Sequence, residues 1–350
     1  MERLIAGRSD GVIALEHNDH SGSFGELRPH IRNSLGISLF DFVRSLEANY
    51  RLARHDIAWG HAALMLSLAG AAMAEFAGAP KLAVAGAGMV LIGYWIAYLQ
   101  LFLHEGAHWN LAPDREVSDR VCNLSVGWLA GIDVKRYRKV HFQHHRALGT
   151  TADSEHSYFF PLNLVFLAKG LLGVRVMEVM LARRQAEACL DAQSGRHVEA
   201  ANAEPGLDRQ LLVGAATHFG IIAILAAIGL WATAAAWLFG VAVMFPLFGA
   251  LRQLLEHRDE NASAMVDYRT TDHGAFTRIF SDGPIANTFG GAGFNRHLLH
   301  HWEPTVSYTR LKDLELFLSD TPLRAIIERR KTTYARTFAS LFRKASISPG

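Results

Sequence analysis

The chain has 350 residues, half of them apolar and only 19% charged, with a mean hydropathy of +0.11, a composition that suits a membrane protein better than a soluble one. A formal net charge of +2 with eighteen neutral histidines leaves no basic excess, and no Lys/Arg-rich stripe is interleaved with aromatics, so nucleic acid is not expected as a partner. Cys122 and Cys189, the two cysteines, stand far apart in neither metal-ligand nor redox spacing, which argues against a disulfide-built secreted fold.

Residues 1–56 read as a cytoplasmic N-terminal segment; up to about Asn33 they are polar, without the apolar run of a cleavable signal peptide. Residues 57–350 read as a single membrane domain with four spans, since a bilayer crossing needs about 20 apolar residues. The first, about 57–78, is followed after Ala79-Pro80-Lys81 by the second, about 82–103, which has no Asp, Glu, Lys or Arg. A charge-free run from Leu211 to Leu251 is about twice the length of one span, and Gly229 divides it into spans of about 211–229 and 232–251. Two shorter apolar stretches, Val121–Ile132 and Tyr158–Leu172, are expected to lie in the interface, and the polar stretch from about Asp191 to Arg209 reads as a linker. Charged residues fill 104–210 and 252–350, and the positive-inside rule places both termini and these segments on the cytoplasmic side. The expected fold is an all-α membrane protein: two helical hairpins with a cytoplasmic helical cap.

Histidines concentrate in that cap. His104/His108, His141/His144/His145 and His297/His300/His301 recur at i to i+3 or i+4, which on a helix stacks imidazoles on one face. His104-Glu105-Gly106-Ala107-His108 directly follows the second span, and Gln253-Leu254-Leu255-Glu256-His257 directly follows the fourth. With His257 the set numbers nine, more than one ion can use, since zinc sites close at four ligands, so a di-metal site is expected. Imidazole suits iron, copper, zinc and nickel alike, so ligand type alone does not select the metal. Ligating histidines usually donate their second N–H to a carboxylate or carbonyl. Glu105, Asp153, Glu155, Glu256 and Glu303 are candidates for that role. Arg136, Arg138, Lys139 and Arg146 surround the second cluster, available to lipid headgroups or to an acidic partner.

These residues resemble the histidine boxes of the membrane fatty acid desaturase superfamily, H-x3/4-H, H-x2-HH and [HQ]-x2-HH, here HEGAH, HFQHH and HLLHH in the same order, with the hydrophobic double span between the second and third. The resemblance covers roughly residues 50–315 and includes Pro304, Tyr308 and Leu311 after the third box. It implies His257 as an additional ligand, and it sets Gln253 where acyl-CoA desaturases have an Asn that holds a water on iron. It implies two iron ions and oxygen chemistry: O2 and two electrons remove hydrogen from an unactivated methylene of a lipid or fatty acyl chain. Loss of a second hydrogen gives an alkene, and the same scaffold hosts hydroxylases and ketolases. His297 opens the third box where desaturases fused to a cytochrome have Gln, so electrons are expected from a separate ferredoxin- or cytochrome-type carrier. A bacterial inner membrane is favoured over the endoplasmic reticulum.

Two other functions share features of this sequence. HEGAH is literally the H-E-x-x-H motif of zinc metalloproteases, with Glu105 as general base; that reading needs one more ligand, for which Asp282 is the candidate. A metal transporter would want ligands within the spans, which hold only His61, Glu75 and His218. Both leave most clustered histidines unexplained.

Overall fold

The computed structural model describes residues 21–347 apart from 175–176, 179–180 and 182–208, so most of the expected linker and Cys189 lie outside the described residues. In chain order the helices that matter here are α1 (Ser21–Leu27), α2 (Tyr50–Phe76), α3 (Lys81–Ala107), α4 (Val134–Ala147), α5 (Arg209–Ala227), α6 (Trp231–His257) and α7 (His297–Trp302). Strands are confined, among the described residues, to a parallel pair, Ile279–Phe280 with Lys331–Thr332.

Helices α2, α3, α5 and α6 are long and apolar enough to cross a membrane. Their surfaces make the stronger argument: only 11% of the most apolar stretch of α5 is buried, and Phe76, Leu82, Phe219, Ile228 and Trp231 face outward. Apolar faces of that extent are stable in lipid, not in water. The two hairpins turn at Gly78 (φ +82°) and Gly229 (φ +85°), and both interhelix loops are short. Helix α3 continues through HEGA and α6 to His257, so both histidine stretches sit on the ends of spans. The two ambiguous apolar stretches form short pieces. The first contributes a π turn (Asn123–Gly127) and one helical turn (Trp128–Ala130); the second a 3-10 turn (Ser157–Phe159) and an eight-residue helix (Leu164–Leu171), all too short to span.

The chain packs as two compact units. Among the described residues, one comprises those from Ala53 to His141 and from Leu164 to Arg252; the other those up to Leu52, from Phe142 to Asn163 and from Gln253 onward. Within the spanning unit, α3 lies along α6 at glycine-mediated range. A Cβ on Gly93 would stand 2.4 Å from the Met244 Cβ and 2.8 Å from the Gly240 carbonyl oxygen. Small residues at such crossings let helices gain dispersion contacts where lipid supplies no hydrophobic drive between them. The π turn Gly240–Met244 interrupts α6 at this contact. The ionisable groups within the spans have structural partners. The Glu75 carboxylate accepts from the Ala232 and Thr233 N–H groups at 2.9 and 2.8 Å, capping the start of α6. His61 meets the Ser125 carbonyl at 2.8 Å and His218 the Leu129 carbonyl at 3.1 Å. Each is accounted for without an ion pathway.

In the second unit, α7 turns Leu298, Leu299 and Trp302 into a core with Ile279, Leu311, Leu314, Leu318, Ile326 and Ile327. That leaves His297, His300 and His301 together on the opposite face, as their i, i+3, i+4 spacing requires.

Gly93→Ala forces α3 and α6 apart and is expected to cost about 1–3 kcal/mol, read as a lowered thermal midpoint in detergent. Gly86→Ala on the same helix, where a Cβ would meet nothing within 4 Å, is expected to be neutral or to stabilise by up to ~1 kcal/mol. Equal effects of the two would disprove the close contact.

Candidate metal centre

One complete group of imidazoles lies wholly within the second unit. His144, His257, His297 and His301 are all buried, and one ring nitrogen from each lies within 4.8 Å of the others. The Nε2 atoms of His257 and His297 are 3.0 Å apart, and those of His297 and His301 3.2 Å. What orients them is legible at two outer nitrogens. His144 Nδ1 donates to Asp153 at 2.8 Å, and His257 Nδ1 donates to the Phe276 carbonyl at 3.1 Å. Since carboxylate and carbonyl only accept, both Nδ1 atoms carry a proton, and both Nε2 atoms are turned inward. Lone pairs so gathered repel unless a cation sits among them, and nitrogens about 2.0–2.1 Å from one ion would stand roughly 3 Å apart. The residues therefore fit a metal ion.

The acids around the group strengthen the fit. Asp153 is buried and also accepts from Tyr158, whose hydroxyl in turn accepts the Gly149 N–H at 2.8 Å. Burial alone would lower the His144 imidazole, but Asp153, Glu155 and Glu256 outweigh it and raise it to about 9, so the acids favour positive charge at this ring, whereas burial and the neighbouring imidazoles hold His257 and His301 well below the usual range. Glu256 stands 3.9 Å from His297 Nε2 and accepts from Tyr334 at 3.3 Å. Beside this group, in the same unit, His145 and His300 face each other with Nε2 atoms 3.0 Å apart.

The spanning unit brings together the remaining three. His104, His108 and His141 pack ring to ring with centroids 4.4–5.1 Å apart, and the Nε2 atoms of His108 and His141 are 2.9 Å apart. Arg138 fixes this triad. From α4, one turn before His141, its guanidinium donates to the Ala107 carbonyl at 2.7 Å and the Gly106 carbonyl at 2.9 Å, pairs with Asp119, and lies over the Trp109 ring. A cation on the last carbonyls of α3 is favoured by the helix dipole as well as by hydrogen bonding. The cluster of bases expected to be free for partners is thus depleted: Arg138 is buried, while Arg136, Lys139 and Arg146 stay exposed.

Of the acids proposed as histidine partners, Asp153 takes that role most directly. Glu105 lies 3.5 Å from His104 Nδ1 and accepts from Asn110 at 3.2 Å. Glu303 is turned instead to Arg28, which donates to it through Nε and Nη2. Glu155 pairs with the Gln253 amide, whose oxygen accepts the Ser157 N–H at 2.8 Å; Gln253 therefore ties the chain at 155–157 to α6. His273 donates to the Gly274 carbonyl and packs its ring on Tyr158. Asp282, the further ligand a zinc-protease reading needs, is held by Arg296 at 2.8 Å and Lys312 at 3.3 Å. Tyr158 and the Phe276 carbonyl were not singled out by the sequence. One sits in an apolar stretch and the other is backbone, so neither carries a compositional signal.

Apolar helices able to span a bilayer, joined to buried and outwardly hydrogen-bonded imidazoles, define a helical membrane protein with a histidine site fit for metal. The family model described as Fatty acid desaturase matches residues 79–333, and the chain belongs to that family. Membership makes it an oxidoreductase. A comparison with curated proteins finds no match.

Two substitutions test the orientation of the group. Asp153→Asn keeps the volume but loses the charge and one acceptor, and is expected to weaken metal binding about 10–100-fold, measured as metal retained per chain during dialysis against a chelator. Asp282→Ala is expected to leave metal content unchanged. Metal lost with Asp282→Ala, and kept with Asp153→Asn, would reverse the assignment.

Proposed function

We propose that the protein is a di-iron desaturase that introduces a double bond into a long apolar acyl chain, using O2 and electrons from a separate ferredoxin- or cytochrome-type carrier. The single observation that carries this reading is the buried group His144, His257, His297 and His301, with Nδ1 of His144 on Asp153 and Nδ1 of His257 on the Phe276 carbonyl. These four would hold one iron. His104, His108, His141, His145 and His300 are the five further imidazoles that the resemblance of the histidine boxes assigns to a second iron.

When bound, the iron pair supplies the activation of O2 that no amino-acid side chain can provide. Overall, O2, two electrons and two protons take two hydrogens from adjacent methylenes and leave an alkene and two waters. The protein's own residues supply what surrounds that step. Asp153 and the Phe276 carbonyl hold Nδ1 of His144 and His257, so that their Nε2 atoms face inward before any ion arrives, the ion displacing the second proton of His144. Asp153, Glu256 and Glu155 offset part of the positive charge that an all-imidazole ligand set leaves. Arg138 fixes the end of α3 and with it the directions of His104 and His108. The apolar chain is proposed to approach between the spans, where pockets form in helical bundles. Both termini and the histidine groups are assigned to the cytoplasmic side by the charge distribution of the loops, in a bacterial inner membrane.

Purified in detergent, the chain is expected to carry about two irons, a count that falls with His144→Ala or His300→Ala; about one zinc and no iron would overturn the assignment. Expression followed by lipid analysis is expected to reveal a new double bond that His301→Ala abolishes. A new alcohol or ketone in its place would make the protein a hydroxylase or ketolase on the same scaffold.

A further inference from the structure

The segment that precedes the first span packs against the third histidine helix, although it lies outside residues 79–333 matched by the family model. Two contacts carry this. Phe24 of α1 is 1% exposed and stacks flat on Trp302, the last residue of α7, with ring centroids 4.8 Å apart and planes 4° from parallel. Arg28, one residue past α1, engages Glu303 with two guanidinium nitrogens, and Glu303 is itself 3% exposed. Trp302 and Glu303 directly follow His300 and His301 in the chain.

The rest of the segment fastens these contacts to the same unit. Ile31 and Leu39, joined by a hydrogen bond of 3.0 Å from Leu39 N–H to the Ile31 carbonyl, enter the core beneath α7 beside Leu298, Leu299 and Trp302. Ser34 donates to Asp320 at 2.6 Å, Arg310 to the Glu47 carbonyl at 2.6 Å, and the Asn49 N–H to Thr309 at 3.0 Å. A helix of six residues is too short to hold its own direction, so its tilt is set by what its apolar face rests on. Here much of that support comes from residues 24–39.

We infer that residues 24–39 are a strap that aims the third histidine helix, with Phe24 and Arg28 as positioning residues that act on the metal ligands His300 and His301 through Trp302 and Glu303. This rests on the metal-centre reading above. A buried carboxylate keeps its orientation only while its partner is present, and a Trp freed on one face lets the end of α7 rotate; either displaces the imidazoles without touching them.

The test uses the full chain in detergent, stripped of metal and titrated with Co2+, whose visible absorption reports ligand geometry. Phe24→Ala and Arg28→Ala are each expected to shift the cobalt spectrum and to lower affinity at least about tenfold, the lower end for residues that orient ligands. Arg28→Lys should recover part of the loss, and the reversed pair Arg28→Glu with Glu303→Arg more of it than either single change. Phe42→Ala is the control for general loosening, since Phe42 stacks on Phe317 at 4.2 Å in the same core but on a different helix. It should lower the thermal midpoint and leave the cobalt spectrum alone. Spectra unchanged by Phe24→Ala and Arg28→Ala, or changed as much by Phe42→Ala, overturn the strap while the metal centre stands. A wild-type chain that takes up no cobalt overturns both.

Discussion

Imidazoles buried with their Nε2 atoms turned toward one another cannot satisfy themselves: each neutral ring has one proton, and where that proton points outward the inner nitrogen has only a lone pair to offer. At His144 and His257 the outward proton is fixed, by Asp153 and by the Phe276 carbonyl. The rest of this unit follows from keeping that unfavourable arrangement in place. Tyr158 restrains Asp153, the Gly149 N–H restrains Tyr158, and the Gln253 amide ties the same loop to α6 through Glu155 and Ser157. A cation among these rings would relieve that arrangement, which accords with the oxidoreductase chemistry of the family.

The two units meet that demand differently. In the unit of α7 the imidazoles come from three separate stretches of chain, and direction is imposed by hydrogen bonds from outside the group. In the spanning unit His104 and His108 ride on the end of a long helix, and a single side chain, Arg138, fixes that end by occupying its last carbonyls. The same helix meets α6 closely at Gly93, about three turns before His104. Rigid elements hold a site more accurately than loops do.

Local periodicity made much of this legible. Four spans, their turns and the helical spacing of the histidine boxes are short-range properties, readable from windows of a few to about twenty residues. The pairing of side chains distant in sequence was not. Glu303, two residues from His301, looked like a partner for it, yet its position on the helix end turns it to Arg28, 275 residues away in sequence. Arg138 looked like a surface base because its neighbours are basic, and only the fold reveals the carbonyls and the Asp119 carboxylate that claim it. Asp153 is one of five acids that the sequence offers as partners; its hydrogen bond to His144 is what the fold adds.

Arg138 has a bearing on how such a protein can be altered. Its guanidinium holds the end of α3 from a position one turn before His141 on α4, and its counter-charge, Asp119, comes from the short helix between them. The stretch from His104 to His141 is therefore a cassette, in which the first box, the intervening acid and the start of the second box are mutually matched. A chimera joined inside it, at residue 112 for example, would combine a helix end from one parent with a clamp shaped by another, even if every histidine were retained. Junctions that spare the cassette leave the clamp whole, so recombination among relatives should favour breakpoints outside it.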